Sequence, residues 1–217
     1  MPTAPLTDSR LVAERITRLV LDRFNAGHQL RILGITGPPG TGKTTVATMV
    51  AAMVATRGIT VAGLAPMDGF HMSNAVLDDL DRHWRKGAPD TFDVWGFAAL
   101  LKRIRRAEHE VLAPDYRRDL HEPVAAGLRV AREGLVVTEG NYLALDAPGW
   151  HQVRSHIDLL VHIDTPLSEV GQRLVARHMA FGKDRLAASH WVRTVDGPNI
   201  ALVDACRDRA DVVISAH

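Results

Sequence analysis

Gly37, Pro38, Pro39, Gly40, Thr41, Gly42, Lys43 and Thr44 fill the pattern G-x-x-x-x-G-K-[ST], with Thr45 directly behind them. Glycines at these spacings let backbone N–H groups turn inward around phosphate oxygens, and a helix starting near Gly42 adds the positive end of its dipole. Lys43 supplies charge for the β and γ phosphates, and the Thr44 hydroxyl suits Mg²⁺. The chemistry is nucleotide binding. The pattern by itself does not separate a kinase from an ATPase or a GTPase switch.

Three strand-like runs end in an acidic residue: Asp68 after "VAGLAPM", Glu139 after "LVVT" and Asp164 after "LLVHI". A carboxylate at the carboxyl edge of a sheet can hold Mg²⁺ or accept a proton from an attacking hydroxyl. Asp68 is assigned the base role, because "MDGFHMSN" leads from its strand into a long irregular segment. Glu139 takes a magnesium-side or substrate-side role. Asp164 stands between a site role and a helix cap, since "DTP" ahead of helical periodicity reads as a helix start. His71, just beyond Asp68, is the histidine worth testing. Arg173 and Arg177 share a helix face in "QRLVARHMAFGKD", with Lys183 and Arg185 beyond the glycine. A mobile lid carrying arginines would stabilise a transferring phosphoryl group and exclude water.

These residues need a scaffold. Five short runs read as strands, namely "RILGIT", "TVAGLA", "GLVVTE", "IDLLVHI" and "DVVIS". They are rich in Val, Ile and Leu without strict alternation, as strands buried on both faces are, and helical segments lie between most of them. That predicts a parallel α/β sheet, with ligands beyond the carboxyl ends of its strands. Leu11, Val12, Ile16, Leu19, Val20 and Phe24 recur at helical spacing, with Thr7, Asp8 or Ser9 available to cap that helix. Residues 67–123 are the least regular and are punctuated by Gly87, Pro89, Pro114 and Pro123. Long connections of this kind are often functional, which makes the segment an excursion on the substrate side.

Composition narrows the function class. A chain of 217 residues with a formal charge of +1 carries no nucleic-acid-binding field, although local basic clusters can still make a phosphate pocket. Cys206 is the single cysteine, so an internal disulfide and a Cys-rich zinc site are both excluded. The eleven histidines show no H-E-x-x-H or similar ligand spacing. No apolar run is long enough to span a membrane, and the start of the chain lacks a signal-peptide core. The expected setting is reducing and cytoplasmic.

In order along the chain, "GPPGTGKTT", "MDGFHMSN", "RKGAPDTFDVWGFAALL", "PDYRRDLHEP", "VVTEGNYL" and "RLVAR" resemble the P-loop kinases that group uridine kinase, phosphoribulokinase and type I pantothenate kinase. The match is nearest to bacterial relatives described as nucleoside or nucleotide kinase-like, pantothenate-kinase-like or fructose-transport-system kinase. It covers about Arg31 to Val213. The resemblance implies Asp68 as catalytic base and Arg177 as the lid arginine. It also implies Tyr116, Arg117 and His121 on the acceptor side, Phe92 and Asp93 lining that side, and Glu139 with Gly140 as the acidic-glycine pair. Uridine kinases have a Tyr-Asp pair where this chain has Tyr116 and Arg117.

The expectation is a single P-loop kinase domain over residues 1–217, a three-layer α/β/α fold around about five parallel strands. An N-terminal helix lies within 1–30, an acceptor-side excursion spans 67–123 and a lid spans 165–190. The expected activity is ATP-dependent, Mg²⁺-requiring transfer to a hydroxyl of a small metabolite, whether nucleoside, pantothenate-like or sugar. Lys43, Asp68 and Arg177 form the catalytic set. Residues 37–45 and Arg173 bind nucleotide, Thr44 and Glu139 serve the metal, and His71, Asp93, Tyr116, Arg117, His121 and Glu139 face the acceptor. The expected partner is that small molecule, with neither nucleic acid nor membrane, and the resemblance allows a homodimer. The rival from another class is a P-loop switch that senses nucleotide and signals to a partner. A nucleic-acid kinase is disfavoured by the near-neutral charge and by the lack of interleaved aromatic and basic residues.

Overall fold

The structure is a computed structural model and describes residues 4–215. Five parallel strands form the central sheet: β1 (Ile32–Thr36), β2 (Val61–Leu64), β5 (Leu135–Glu139), β6 (Leu159–Asp164) and β7 (Val212–Ser215), in the order β2-β5-β1-β6-β7. All five are the runs expected from composition. The inner strands β1, β5 and β6 are buried almost throughout, because helices cover both faces.

One face is covered by α1 (Ala4–Asn25) and α2 (Lys43–Ala55). Val12, Ile16 and Val20 of α1 and Val46, Val50 and Val54 of α2 meet Leu33, Ile35, Val161 and Ile163 of the sheet there. Residues four apart on a helix fall on one face, so these six side chains make a continuous apolar seam. The helix starts at Ala4, so Thr7, Asp8 and Ser9 lie inside it and do not cap it. The opposite face is covered by α4 (Val94–Arg106), α5 (Trp150–Ser155) and α8 (Gly197–Asp204), which bring Phe97, Leu101, Ile104, Trp150 and Val203 against Ile32, Val136 and Leu160.

Between β2 and α4 the chain makes a 3-10 turn over Met67–Phe70, the short helix α3 (Asn74–Asp79) and two further 3-10 turns. Beyond α4, β3 (Val111–Arg117) and β4 (Glu122–Val130) form an antiparallel hairpin that pattern reading missed. Pro114, Pro123, Gly127 and the alanines of β4 obscure its strand signal. The two-stranded ribbon tolerates Pro114 because the register shifts between Ala113 and Asp115. The hairpin docks on the β2 edge, where Ala131 N–H donates to the Ala62 carbonyl at 2.8 Å. After β6 come α6 (Leu167–Ala180) and α7 (Arg185–Trp191), then a π-helical turn over Val192–Asp196 that leads into α8.

Candidate active site

The carboxyl ends of β1, β2, β5 and β6 converge on the phosphate loop. Gly37, Gly40 and Gly42 have φ of 146°, 83° and 82°, a region that favours glycine. A Cβ on Gly37 would stand 2.6 Å from the Ile163 carbonyl, and one on Gly40 would stand 3.1 Å from Leu174 Cγ of α6. The cradle is therefore walled by backbone on one side and by α6 on the other. Lys43 Nζ donates to the carbonyls of Gly37 at 2.9 Å and Pro38 at 2.8 Å, and Thr41 Oγ1 donates to Pro38 O at 2.9 Å. These bonds hold the loop curled over the start of α2. Thr44 and Thr45 are exposed on the first turn of that helix.

Thr44 Oγ1 donates to Glu139 Oε1 at 2.9 Å. Glu139 is only 6% exposed, and burial, then the nearby Asp68 charge, push its carboxyl up to about 7. Lys43 and the Thr44 hydroxyl pull in the opposite sense. Burial lowers Lys43 well below the usual lysine range, while Glu139 and Asp68 resist and Arg177 adds to the lowering. A hydroxyl and a carboxylate in contact, beside a glycine-rich loop and a buried lysine, fit a divalent cation with a nucleotide phosphate. Asp164, at the end of β6, pairs with Arg207 at 3.2 Å, and α6 has no side-chain cap. The capping alternative for Asp164 is thereby corrected.

Asp68 is half-buried in the 3-10 turn at the end of β2. Gly69 has to be glycine because a Cβ would lie 2.3 Å from the Pro114 carbonyl of the hairpin. The Asp68 charge acts on Lys43 and Glu139 on the nucleotide side, and on His71 and Tyr116 on the other. His71 Nδ1 hydrogen-bonds the Asp68 carbonyl at 2.8 Å, and its ring lies 4.1 Å from Phe92 and 4.7 Å from Tyr116. Burial lowers the His71 pKa against the pull of Asp68. Phe92 in turn is backed by Tyr142 and Trp150.

Two residues expected to face the acceptor do otherwise. Asp93 is the N-cap of α4: its carboxylate accepts the Gly96 N–H at 2.8 Å, as the short side chain of a helix-capping aspartate does. Arg117 is exposed and pairs with Asp119 at 2.7 Å. It is the adjacent Arg118 whose charge reaches Glu139 and Tyr116. His121 sits at the hairpin tip with φ of 52°, and its ring centroid is 6.0 Å from that of Phe181 at the end of α6. On α6, Arg173 bonds Glu169 at 3.0 Å, and the charge of exposed Arg177 bears on Lys43.

The profile of the phosphoribulokinase / uridine kinase family matches residues 32–217. The chain belongs to that family. A kinase of this family is a P-loop phosphotransferase, and P-loop kinases use ATP, usually with Mg²⁺. The chain is 34% identical over 185 residues to the uncharacterized protein YggC of Escherichia coli (strain K12), covering 84% of this chain and 76% of that one. It is 31% identical over 163 residues to a candidate uridine kinase of Schizosaccharomyces pombe, covering 71% and 69%. The crystal structure of a candidate fructose transport system kinase from Silicibacter sp. TM1040 superposes with a TM-score of 0.85 at 30% identity, covering 93% of this chain and 98% of that one.

Within this family kinase, Asn74, Lys86, Asp115, Arg118 and Glu122 escaped the sequence reading yet lie around Asp68, His71 and Tyr116. Lys86 Nζ donates to Asn74 Oδ1 at 2.6 Å and His121 O at 2.7 Å, and Asn74 N–H donates to Glu122 Oε1 at 2.8 Å. Asp115 joins Thr44 and Glu139 around a small cavity of about 120 Å³. The signal available for Lys86 was its place in "RKGAPDTFD". For Arg118 it was only adjacency to Arg117, and a side-chain direction on a hairpin is not written in a dipeptide.

Proposed function

We propose that this kinase transfers the γ phosphate of ATP to a hydroxyl of a small metabolite, with Asp68 as the base. The observation that carries the reading is the position of Asp68. Asp68 stands half-buried in the turn that follows β2, its carbonyl bonded to His71 Nδ1 at 2.8 Å, and its charge bears on Lys43 and Glu139 as well as on His71 and Tyr116. In the transfer the acceptor hydroxyl gives its proton to Asp68 and its oxygen bonds the γ phosphorus. The bond from that phosphorus to the β–γ bridging oxygen breaks, and ADP leaves. Lys43 and Arg177 stabilise the charge that spreads over the γ oxygens. Thr44 and Glu139 would hold Mg²⁺, which supplies charge neutralisation on the phosphates. The α6 helix, packed on Gly40 through Leu174, is the element placed to keep water from the reacting group.

The test measures acceptor-stimulated ADP release with ATP and Mg²⁺, with the phosphorylated product identified by mass. Asp68→Asn should keep ATP affinity while turnover drops by about 10²–10⁴, the usual contribution of a general base. Undiminished turnover in that variant removes Asp68 from the mechanism. ATP binding without stimulation by any acceptor, coupled to nucleotide-dependent capture of a protein, would replace the kinase reading with the switch.

A further inference from the structure

Val170, Leu174 and His178 follow one another four residues apart on α6, so they share one face of that helix. The first two are fully buried and pack with Ile200 of α8, and Leu174 also stands against Gly40 of the phosphate loop. His178 is the polar member of the row. Its Nε2–H donates to Asp196 Oδ2 at 2.8 Å, with the two side chains only 14% and 10% exposed. Asp196 and Ile200 are themselves four apart, where the π-helical turn runs into α8. In that turn the Gly197 N–H donates five residues back to the Val192 carbonyl, and Pro198 has no N–H to offer. The wider turn shifts the helix phase so that Asp196 joins Ile200 against α6. Trp191 flanks the imidazole with ring centroids 6.2 Å apart, and Lys183 Nζ lies 4.5 Å from the Trp191 ring centroid.

We propose that His178 and Asp196 are positioning residues for the transfer, whose bond holds α6 at one rotation over the phosphate loop and so keeps water off the γ phosphate. The proposal rests on the reading of this protein as a kinase in which α6 walls the reacting group. Apolar packing is non-directional, so Val170, Leu174 and Ile200 hold α6 near the loop without fixing its rotation. A hydrogen bond between two largely buried groups does fix it, and leaving either group without the other is costly. Arg173 and Arg177 occupy the neighbouring row of the same helix, with Arg177 directly before His178. What sets the His178 side chain therefore sets the arginine row. Neither His178 nor Asp196 has to touch nucleotide for this.

The test reads ADP release from ATP and Mg²⁺ with water as the sole acceptor, together with calorimetric affinity for the β,γ-imido analogue of ATP. Hydrolysis scales with the fraction of molecules in which α6 has left that rotation, so losing one hydrogen bond to a carboxylate should raise it by about tenfold. His178→Phe and Asp196→Ala should each show that rise, with affinity for the analogue held within about threefold. His178→Phe strands a buried carboxylate, so the double variant is measured as well; it strands neither group and should leak no more than either single change. His178→Gln keeps an N–H donor at similar reach and should return ADP release toward the native rate, which lost packing alone would not do. Native-like ADP release in the folded double variant overturns the proposal and leaves the kinase reading intact. A rise that His178→Gln shares in full overturns it too. No ADP release from the native protein or any variant, with or without added alcohols and with the analogue bound, overturns the kinase reading and this proposal together.

Discussion

The two halves of the site are built in opposite ways. The nucleotide half is built around one contiguous stretch, residues 37–45, between β1 and α2, with Lys43 only 7% exposed and Glu139 joining it from β5. The half proposed to take the acceptor gathers Asp68, His71, Lys86, Tyr116 and Arg118 from separate segments, and its residues are half-buried or exposed. Phosphate is the same in every nucleotide, so a loop of backbone N–H groups can serve any member of the family. An acceptor is recognised by side chains on a hairpin and turns that the core does not dictate. The half that is generic is rigidly packed, and the half that is specific stands on the sheet edge.

The largest effect expected from challenging this contrast is on the nucleotide side. Lys43→Ala removes the loop's own brace and the charge on the transferring phosphate together, and should lower turnover by about 10²–10³ for every acceptor tried. Steady-state rates on two unrelated acceptors check this, and a loss confined to one would blur the distinction between the halves.

A second prediction concerns the packed body beneath that loop. His162 of β6 is 1% exposed and neither ring nitrogen has a partner among the described residues. Burial holds its pKa down from 6.5 to about 4, with Arg207 and Lys43 adding to the shift and Asp164 and Asp204 opposing it. A depressed folded-state pKa means the stabilisation is complete above 6.5 and is lost as pH falls toward 4. The loss approaches about 3 kcal/mol at 1.36 kcal/mol per unit. Urea melts across that window should show it, and His162→Gln should flatten the slope. An unchanged slope would assign the pH dependence to other groups.

Smaller effects separate true acceptor residues from neighbours in the same motifs. Asp93→Ala removes the α4 cap and should cost about 1 kcal/mol of stability with no change in acceptor KM. Chemical denaturation alongside kinetics decides, and a KM effect without a stability effect would return Asp93 to the acceptor face. Smallest of all, Arg117→Ala should leave both Tm and KM where they were, since exposed ion pairs contribute little. A raised KM there, with Arg118→Gln silent, would reverse the assignment of the two arginines.

The order of legibility follows the same division. All five strands and the phosphate loop could be read because buried parallel strands need apolar runs and a phosphate cradle needs glycines at set positions. The position of Asp68 just beyond its strand could be read as well. The β3–β4 hairpin could not, because Pro114, Pro123 and Gly127 argue locally against strands and only docking on β2 makes the ribbon worthwhile. Asp93 misled for a related reason: a helix cap and a substrate ligand are both a carboxylate after a loop, and only the bond to Gly96 tells them apart.

Sequence alone determined the nucleotide chemistry of this protein, since backbone conformation at Gly37, Gly40 and Gly42 and the charge of Lys43 are properties of a short segment. Tertiary structure decided the surroundings of Asp68. There, the choice between Arg117 and Arg118, and the pairing of Lys86 with neutral oxygens, depend on which segments fold against one another and which carboxylates they leave within reach.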